Sequence, residues 1–383
     1  MMSCFFTGAR VFTGETVISG LGVVVEDGRV TALAAEAPPG AEIVALPEDR
    51  LLAPGFLDLQ VNGAGGVLLN DDPSVESVRT IARTVRRFGV TGVLPTFITG
   101  PRDAMLAACA AVAEAMAAPN SGVLGIHLEG PFISAERRGI HDLGSVRAPT
   151  PDDIEAVIAA SDRMRREGGR LLLTLAPEEV DDATLGRLAA AGVIVSIGHT
   201  AASFERTQAA LRLGARCFTH LTNAMPPIHN RAPGPVAAAL DSRDAWCGLI
   251  ADGHHVHAGL MRAILKAKPG KVFLVTDAMS PLGTTAESFV LDGRTNLRRD
   301  GRLASSEGVL AGADIDMAQS VRNVVALLDE PQTEALRMAS LYPAACLGVD
   351  DRYGRIAPGH RADFVLLDAR LDVSNAWIGG QAA

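Results

Sequence analysis

The stretch GVIVSIGHTAASFERTQAALRLGARCFTHL, residues 192–221, carries the reading of the fold. An apolar run, GVIVSIGH, leads into a helical pattern, SFERTQAALRLG, and then into a second apolar run, CFTHL. Short, nearly continuous apolar runs are what strands covered on both faces look like, as in a parallel sheet. Strand, helix and strand in this order make one βαβ unit. Each of the two strands finishes in a histidine, His199 and His220.

Outward from this unit the pattern repeats. FLDLQV, VTGVLPT, GVLGIHLE, LLLTLA, WCGLIAD and KVFLVTD are further strand candidates, which brings the number to eight. Helical patterns such as SVESVRTIARTVRRFG and AMLAACAAVAEAMAA separate most of them. Eight strands alternating with helices predict an α/β fold with a closed parallel barrel. The sixth connection, through NAMPPIHNRAPGP, reads as a loop rather than a helix. Two helices, ADIDMAQSVRNVVALLD and TEALRMASLYPAACLG, are expected after strand eight.

The two ends have a different rhythm. CFFTGARVFTG, GLGVVVEDGRVTALAA and AEIVALP are short apolar runs broken by glycine, and Asp27-Gly28 is a strong hairpin signal. GRIAPGHRADFVLLDA and NAWIGG are similar. Neither end is long enough to bury a core alone. The expectation is one small β domain built from residues 1–53 and 355–383, with the barrel occupying 54–354.

Composition narrows the function classes. The chain has 383 residues, 48% of them apolar and 21% charged, and a formal net charge of −9. That balance argues against bulk binding of nucleic acid or an anionic membrane. Five scattered cysteines without a CxxC pair fit a reducing compartment. No apolar stretch is long enough to span a bilayer, and MMSCFFTGAR lacks a typical cleavage signal, so a cytoplasmic location is expected. NGAGG (62–66) has the wrong spacing for a dinucleotide loop, and no nucleotide cofactor is implied.

The charges fall at the strand ends. LGIHLEG supplies His127 and Glu129, LIAD leads to His254 and His255, and FLVTD ends in Asp277. In a parallel barrel these ends converge on the face where chemistry is done. Glu129, His199 and His220 make a metal set of one carboxylate and two imidazoles, suited to zinc and also to iron or another first-row ion. Singly, each histidine reads as a hydrogen-bonded structural residue; together they read as ligands. Asp277 is either a turn or helix cap or a proton-transfer group beside a metal-activated water. His127 shares a face with Glu129 and is a candidate supporting residue.

LEGPF (128–132), RGIHD (138–142), SIGHT (196–200), THLTNAMPP (219–227), IADGHHV (250–256) and LVTDAM (274–279) resemble, as an ordered set, the N-acetylglucosamine-6-phosphate deacetylases of the amidohydrolase superfamily. The likeness runs from the first strand to GRIAPGHRADFVLLD. It implies a distorted (β/α)8 barrel with a small β-sandwich made by both termini. Members of that family carry on strand one either two histidines and two metals, or a glutamine and an asparagine and one metal. Gln60 and Asn62 resemble the single-metal kind, with their amides on the substrate or the water network. The resemblance further implies Asp277 as general base and then acid, and His141 as the residue that holds or polarises the acetamide carbonyl. It implies His255 against the sugar and Asn223 with the Ala224 N–H along the phosphate. Arg231 is implied to reach that phosphate from the neighbouring subunit of a homodimer, in the manner that suits a planar guanidinium. His229 lies in the same subunit-contact loop; His254 stands where the family is often apolar, and Ala313 where it commonly has serine. The activity implied is hydrolysis of N-acetyl-D-glucosamine 6-phosphate. The alternatives are a related amidase, such as a deacetylase of N-acetylgalactosamine 6-phosphate, or a barrel kept as a non-catalytic scaffold.

Overall fold

Eight apolar runs become one eight-stranded sheet in a computed structural model that describes residues 3–383. The strands are β1 (Phe56–Val61), β2 (Val90–Ile98), β3 (Gly125–Glu129), β4 (Arg170–Leu175), β5 (Ile194–Ile197), β6 (Cys217–Phe218), β7 (Trp246–Leu249) and β8 (Val272–Leu274). They lie in sequence order, and every neighbouring pair is parallel. The ring closes just beyond β8. Val61 bridges Ala278 in parallel, the Asp277 N–H donates to the Gln60 carbonyl at 2.9 Å, and the Asn62 N–H donates to the Ala278 carbonyl at 2.9 Å.

Period-two alternation decides what each strand shows to each side. Ile126, Leu128, Leu171, Leu173 and Leu175 pack outward with the helices. Leu57, Leu59, Leu94, Leu172, Ile194 and Phe273 are in the opposite phase and fill the barrel. His127 and Glu129 are therefore in the inward phase of β3, and Glu129, the later of the two, reaches the C-terminal mouth. Helices α1 (Val75–Arg86), α2 (Arg102–Met116), α3 (Pro151–Arg166), α4 (Asp182–Ala190), α5 (Phe204–Arg212), α6 (Gly234–Asp241), α7 (Ala258–Ala267) and α8 (Met317–Leu328) surround the sheet. Ser74, Thr150, Asp181, Ser203 and Asp316 each cap a helix by accepting from a backbone N–H three residues on.

Both termini build the remaining layer. A four-stranded sheet contains Ser3–Thr7, Gly22–Glu26, Arg29–Ala34 and Glu42–Ala45. In a six-stranded sheet, Leu51–Pro54 pairs antiparallel with Phe364–Leu367. Phe6 from the first sheet stands edge-on to Phe364 and Trp377 of the second, with ring centroids 5.3 and 5.5 Å apart. The Asp27-Gly28 hairpin forms as expected, with both residues at positive φ.

Three local expectations change. The sixth connection is not all loop: after Pro233 the chain forms α6, eight residues long. The last helical pattern splits into α9 (Gln332–Ala339) and α10 (Leu341–Leu347), because Ser340 leaves helical geometry and Pro343 is tolerated only in a first turn. Strand eight is not followed directly by α8. A four-stranded antiparallel meander comes first: Ser288–Leu291, Arg294–Arg299, Arg302–Ser305 and Leu310–Ala313.

Candidate active site

The barrel strands deliver their ionisable groups through backbone that few residues adopt. His199, His220, Ala224 and Asp277 have φ of 48°, 27°, 52° and 51°. Left-handed backbone at non-glycine residues costs about 1–3 kcal/mol each and is held in place by the surrounding structure. Here it turns successive strand ends over the mouth.

Three donor atoms meet there. Glu129 Oε1 lies 3.1 Å from His199 Nε2 and 2.9 Å from His220 Nε2, and the two Nε2 atoms are 3.1 Å apart. All three residues are buried. His199 Nδ1–H donates to the Arg137 carbonyl at 2.9 Å, which reserves Nε2 as the ring atom that an ion would take. The Ser134 N–H in turn donates to the His199 carbonyl, which clasps the histidine against the loop after β3. Burial works against the Glu129 anion, but the two imidazoles outweigh it and hold the carboxyl well below its ordinary range. A tetrahedral ion with bonds of about 2.0–2.1 Å sets its ligand atoms roughly 3.3 Å apart. The observed spacings are close to that, so these three residues could hold one. His141 is near enough to extend the set: ligand atoms of Glu129, His141 and His199 lie within 4.8 Å of one another.

Asp277 sits beside the cluster in a web of amides. Asn62 Nδ2 donates to its Oδ1 at 2.7 Å, and Gln60 Nε2 donates to the same oxygen at 3.1 Å. Gln60 Nε2 also donates to Glu129 Oε1 at 3.0 Å. Both Gln60 amide protons are thus spent on carboxylates, and Gln60 is not among the pocket-lining residues. That differs from the expectation of a substrate contact: without its own partner each buried carboxylate would be costly, and the amides supply one. Asn62 does line the pocket. Burial first, and then the Glu129 charge, raise Asp277 to about 6.

Asn62, Glu129, His141, His199, His220, Asn223, Ala224, His255 and Asp277 border one hollow of about 270 Å³, walled also by Ile98, Ile140, Met279 and Val309. The Ala224 N–H donates no hydrogen bond among the described residues. Arg231 is exposed and does not line the hollow in this single chain. His254 turns away and accepts from Arg302 Nε at 3.1 Å, while His257 caps α7. His229 lies exposed in the loop before α6.

Thr99 holds His141. Its O–H donates to the Glu129 carbonyl at 3.2 Å, so His141 Nδ1, 2.8 Å away, is the donor to Thr99 Oγ1. Burial, with His199 alongside, keeps the ring neutral by lowering its pKa. In this tautomer Nε2 accepts. Polarising a carbonyl needs the other tautomer, in which Thr99 turns its O–H to Nδ1.

Beneath the mouth lies a belt of hydroxyls that sequence reading did not find. His127 Nε2 meets Thr174 Oγ1 at 2.7 Å, Thr174 meets Thr219 at 2.6 Å, and Thr219 meets Ser196 at 2.6 Å. Burial lowers His127 to about 4, so it supports the cluster as a neutral ring. The signal was present as inward-phase hydroxyl residues, Thr174, Ser196 and Thr219, on or just beyond three successive strands. Ala313 keeps its backbone contact, N–H to the Asp277 carbonyl at 3.0 Å, without needing a hydroxyl.

The Amidohydrolase family model matches residues 51–382. A relative from Shewanella sp., an N-acetylgalactosamine-6-phosphate deacetylase, is 39% identical over 98% of this chain and 94% of its own. An N-acetylglucosamine-6-phosphate deacetylase from Haemophilus influenzae is 35% identical over 97% of each. The crystal structure of N-acetylglucosamine-6-phosphate deacetylase from Pasteurella multocida superposes with a TM-score of 0.95 at 35% identity, covering 100% of both chains. The chain belongs to the amidohydrolase family.

Proposed function

We propose that the chain hydrolyses the acetamide of N-acetyl-D-glucosamine 6-phosphate to acetate and D-glucosamine 6-phosphate. The observation that carries this reading is Asp277, pinned by Gln60 and Asn62 beside the Glu129, His199 and His220 cluster at the wall of one small hollow. These three residues would hold one divalent ion per chain, with zinc favoured by two imidazoles and one carboxylate. Bound there, the ion supplies a more acidic water and a polarised carbonyl oxygen.

Asp277 accepts the proton of the attacking water. Asn62 and Gln60 occupy Oδ1, which leaves Oδ2 for that proton. As the C–N bond breaks, Asp277 returns a proton to the leaving amine. His141 holds the acetamide from the side. His255 contacts the sugar, and Asn223 with the Ala224 N–H takes the phosphate. Arg231 completes the phosphate site from the partner subunit of a homodimer; its exposure in this chain supports that reading. Free thiols throughout support a reducing, cytoplasmic setting.

The 39% identity to the Shewanella protein favours a second reading, the galacto epimer as substrate. Acetate release from the two N-acetylhexosamine 6-phosphates decides between them. The first reading expects the higher kcat/KM on the gluco compound. A preference for the galacto compound replaces it with the second reading, and release from neither overturns both.

A further inference from the structure

We propose that Asp252 is a positioning residue that sets the hydrogen-bond polarity of His255, so that His255 Nε2 meets the substrate as an acceptor. This rests on the reading above only for what His255 touches.

Asp252 lies in the loop after β7, and its side chain is 4% exposed; that of His255 is 8% exposed. One carboxylate does two jobs through two different oxygens. Oδ1 accepts the backbone N–H groups of His254 and His255, both at 2.8 Å, which shapes the turn. Oδ2 lies 2.6 Å from His255 Nδ1. An ionised carboxylate only accepts, so the shared proton belongs to Nδ1. Burial opposes ionisation of Asp252, but His255 and the two N–H groups outweigh it and hold the carboxyl below its ordinary value. With Nδ1 committed, the lone pair of the neutral form of the ring is at Nε2, the nitrogen left for the hollow that His255 lines. A sugar hydroxyl is the donor such an atom suits.

The division of labour between the oxygens makes Asp252→Asn informative. Two backbone donors keep the amide oxygen where Oδ1 was. The NH₂ group then stands against His255 Nδ1 and donates to it. The ring must move its proton to Nε2, and the atom facing the substrate changes from acceptor to donor. A carboxylate with only a structural role would have no such effect on the imidazole.

The experiment records the imidazole nitrogen signals of ¹⁵N-histidine-labelled native protein and Asp252→Asn, with His255→Gln identifying the His255 signals. Metal content, kcat and KM are measured alongside. The native ring is expected to carry its proton on Nδ1 and the variant ring on Nε2. Metal content should not change, and KM should rise about 10–100-fold with kcat falling much less, the size typical of a lost supporting partner. A native ring protonated on Nε2 overturns the proposal, and this needs no folded variant. A variant that keeps the proton on Nδ1 with KM within about twofold of native also overturns it. The spectra require no substrate, so they judge Asp252 even if no deacetylation is seen; that outcome would count against the proposed function alone.

Discussion

Asp277 is a half-buried carboxylate whose desolvation outweighs the two amide donors that hold it, which leaves a base of useful strength near neutrality. Asp277→Asn should keep its metal and lose about 10²–10⁴-fold in kcat, as expected for removal of a general base; native-like turnover in that variant would remove Asp277 from the mechanism. The base must be ionised, and burial raises it to about 6. Activity should therefore be full above that value and fall as pH drops through it. A neighbouring cation favours the anion, so the acid limb of kcat/KM in the loaded enzyme should lie at or below about 6. A limb near 8 would assign the titration to another group. At this scale much was legible. Glu129, His199, His220 and Asp277 stand out because each ends an apolar run where a lone charge would be costly. The direction of the Gln60 and Asn62 amides was not, since an amide's partner depends on which strand lies opposite.

Local elements hold the site through one narrow approach. Leu310–Ala313, the last strand of the meander, brings Ala313 to the Asp277 carbonyl. Gly312, beside it, has φ of 68°, and a Cβ there would lie 2.5 Å from Met279 Cγ and 2.7 Å from the Asp277 carbonyl oxygen. Gly312→Ala should cost about 1–3 kcal/mol by denaturant unfolding and lower kcat, because Asp277 must shift to make room. Unchanged stability and rate would mean that this contact positions nothing. The strands of the barrel were legible from their runs. The meander was missed although Asp292-Gly293 and Asp300-Gly301 mark its turns, each pair at positive φ. Its first strand alternates exposed with buried residues and its second buries only Asn296, a weaker signal than the barrel's continuous apolar runs. The break at Ser340 did leave a mark, Pro343, which a continuous helix cannot hold in its interior.

For the molecule as a whole, one buried charge works against the fold. Asp58 is fully buried in β1 and is raised to about 7 by burial, even though Thr276 and the Gln60 N–H donate to it. A raised carboxyl favours the fold in its protonated form. That contribution is complete below the unfolded value near 4 and is lost as pH rises through about 7, a difference of up to roughly 4 kcal/mol. Asp58→Asn can keep the two N–H donors on its oxygen and donate to Thr276, so it should raise Tm at pH 8 by on the order of 3 °C, with the gap closing toward pH 4. Calorimetry showing a pH-independent gap would contradict this. The quaternary proposal has its own test. Asp277→Asn lacks its base, and Arg231→Ala lacks the cation it lends. In a mixed dimer one site has both, so combining the two weak variants should restore substantial activity at native KM. Activity no greater than the sum of the separate variants would show that Arg231 serves its own chain or none. The barrel and the shared terminal sheets were legible in the order of runs, whereas what a second chain contributes leaves no mark in the run of one.

The central claim is that Glu129, His199 and His220 gather one divalent ion on which hydrolysis depends. Acetate release from N-acetyl-D-glucosamine 6-phosphate, followed while a chelated sample is titrated with zinc, tests it most directly. The account predicts almost no release from the stripped protein and a rise that saturates at one ion per chain. Stripped protein that releases acetate at the untreated rate would contradict it.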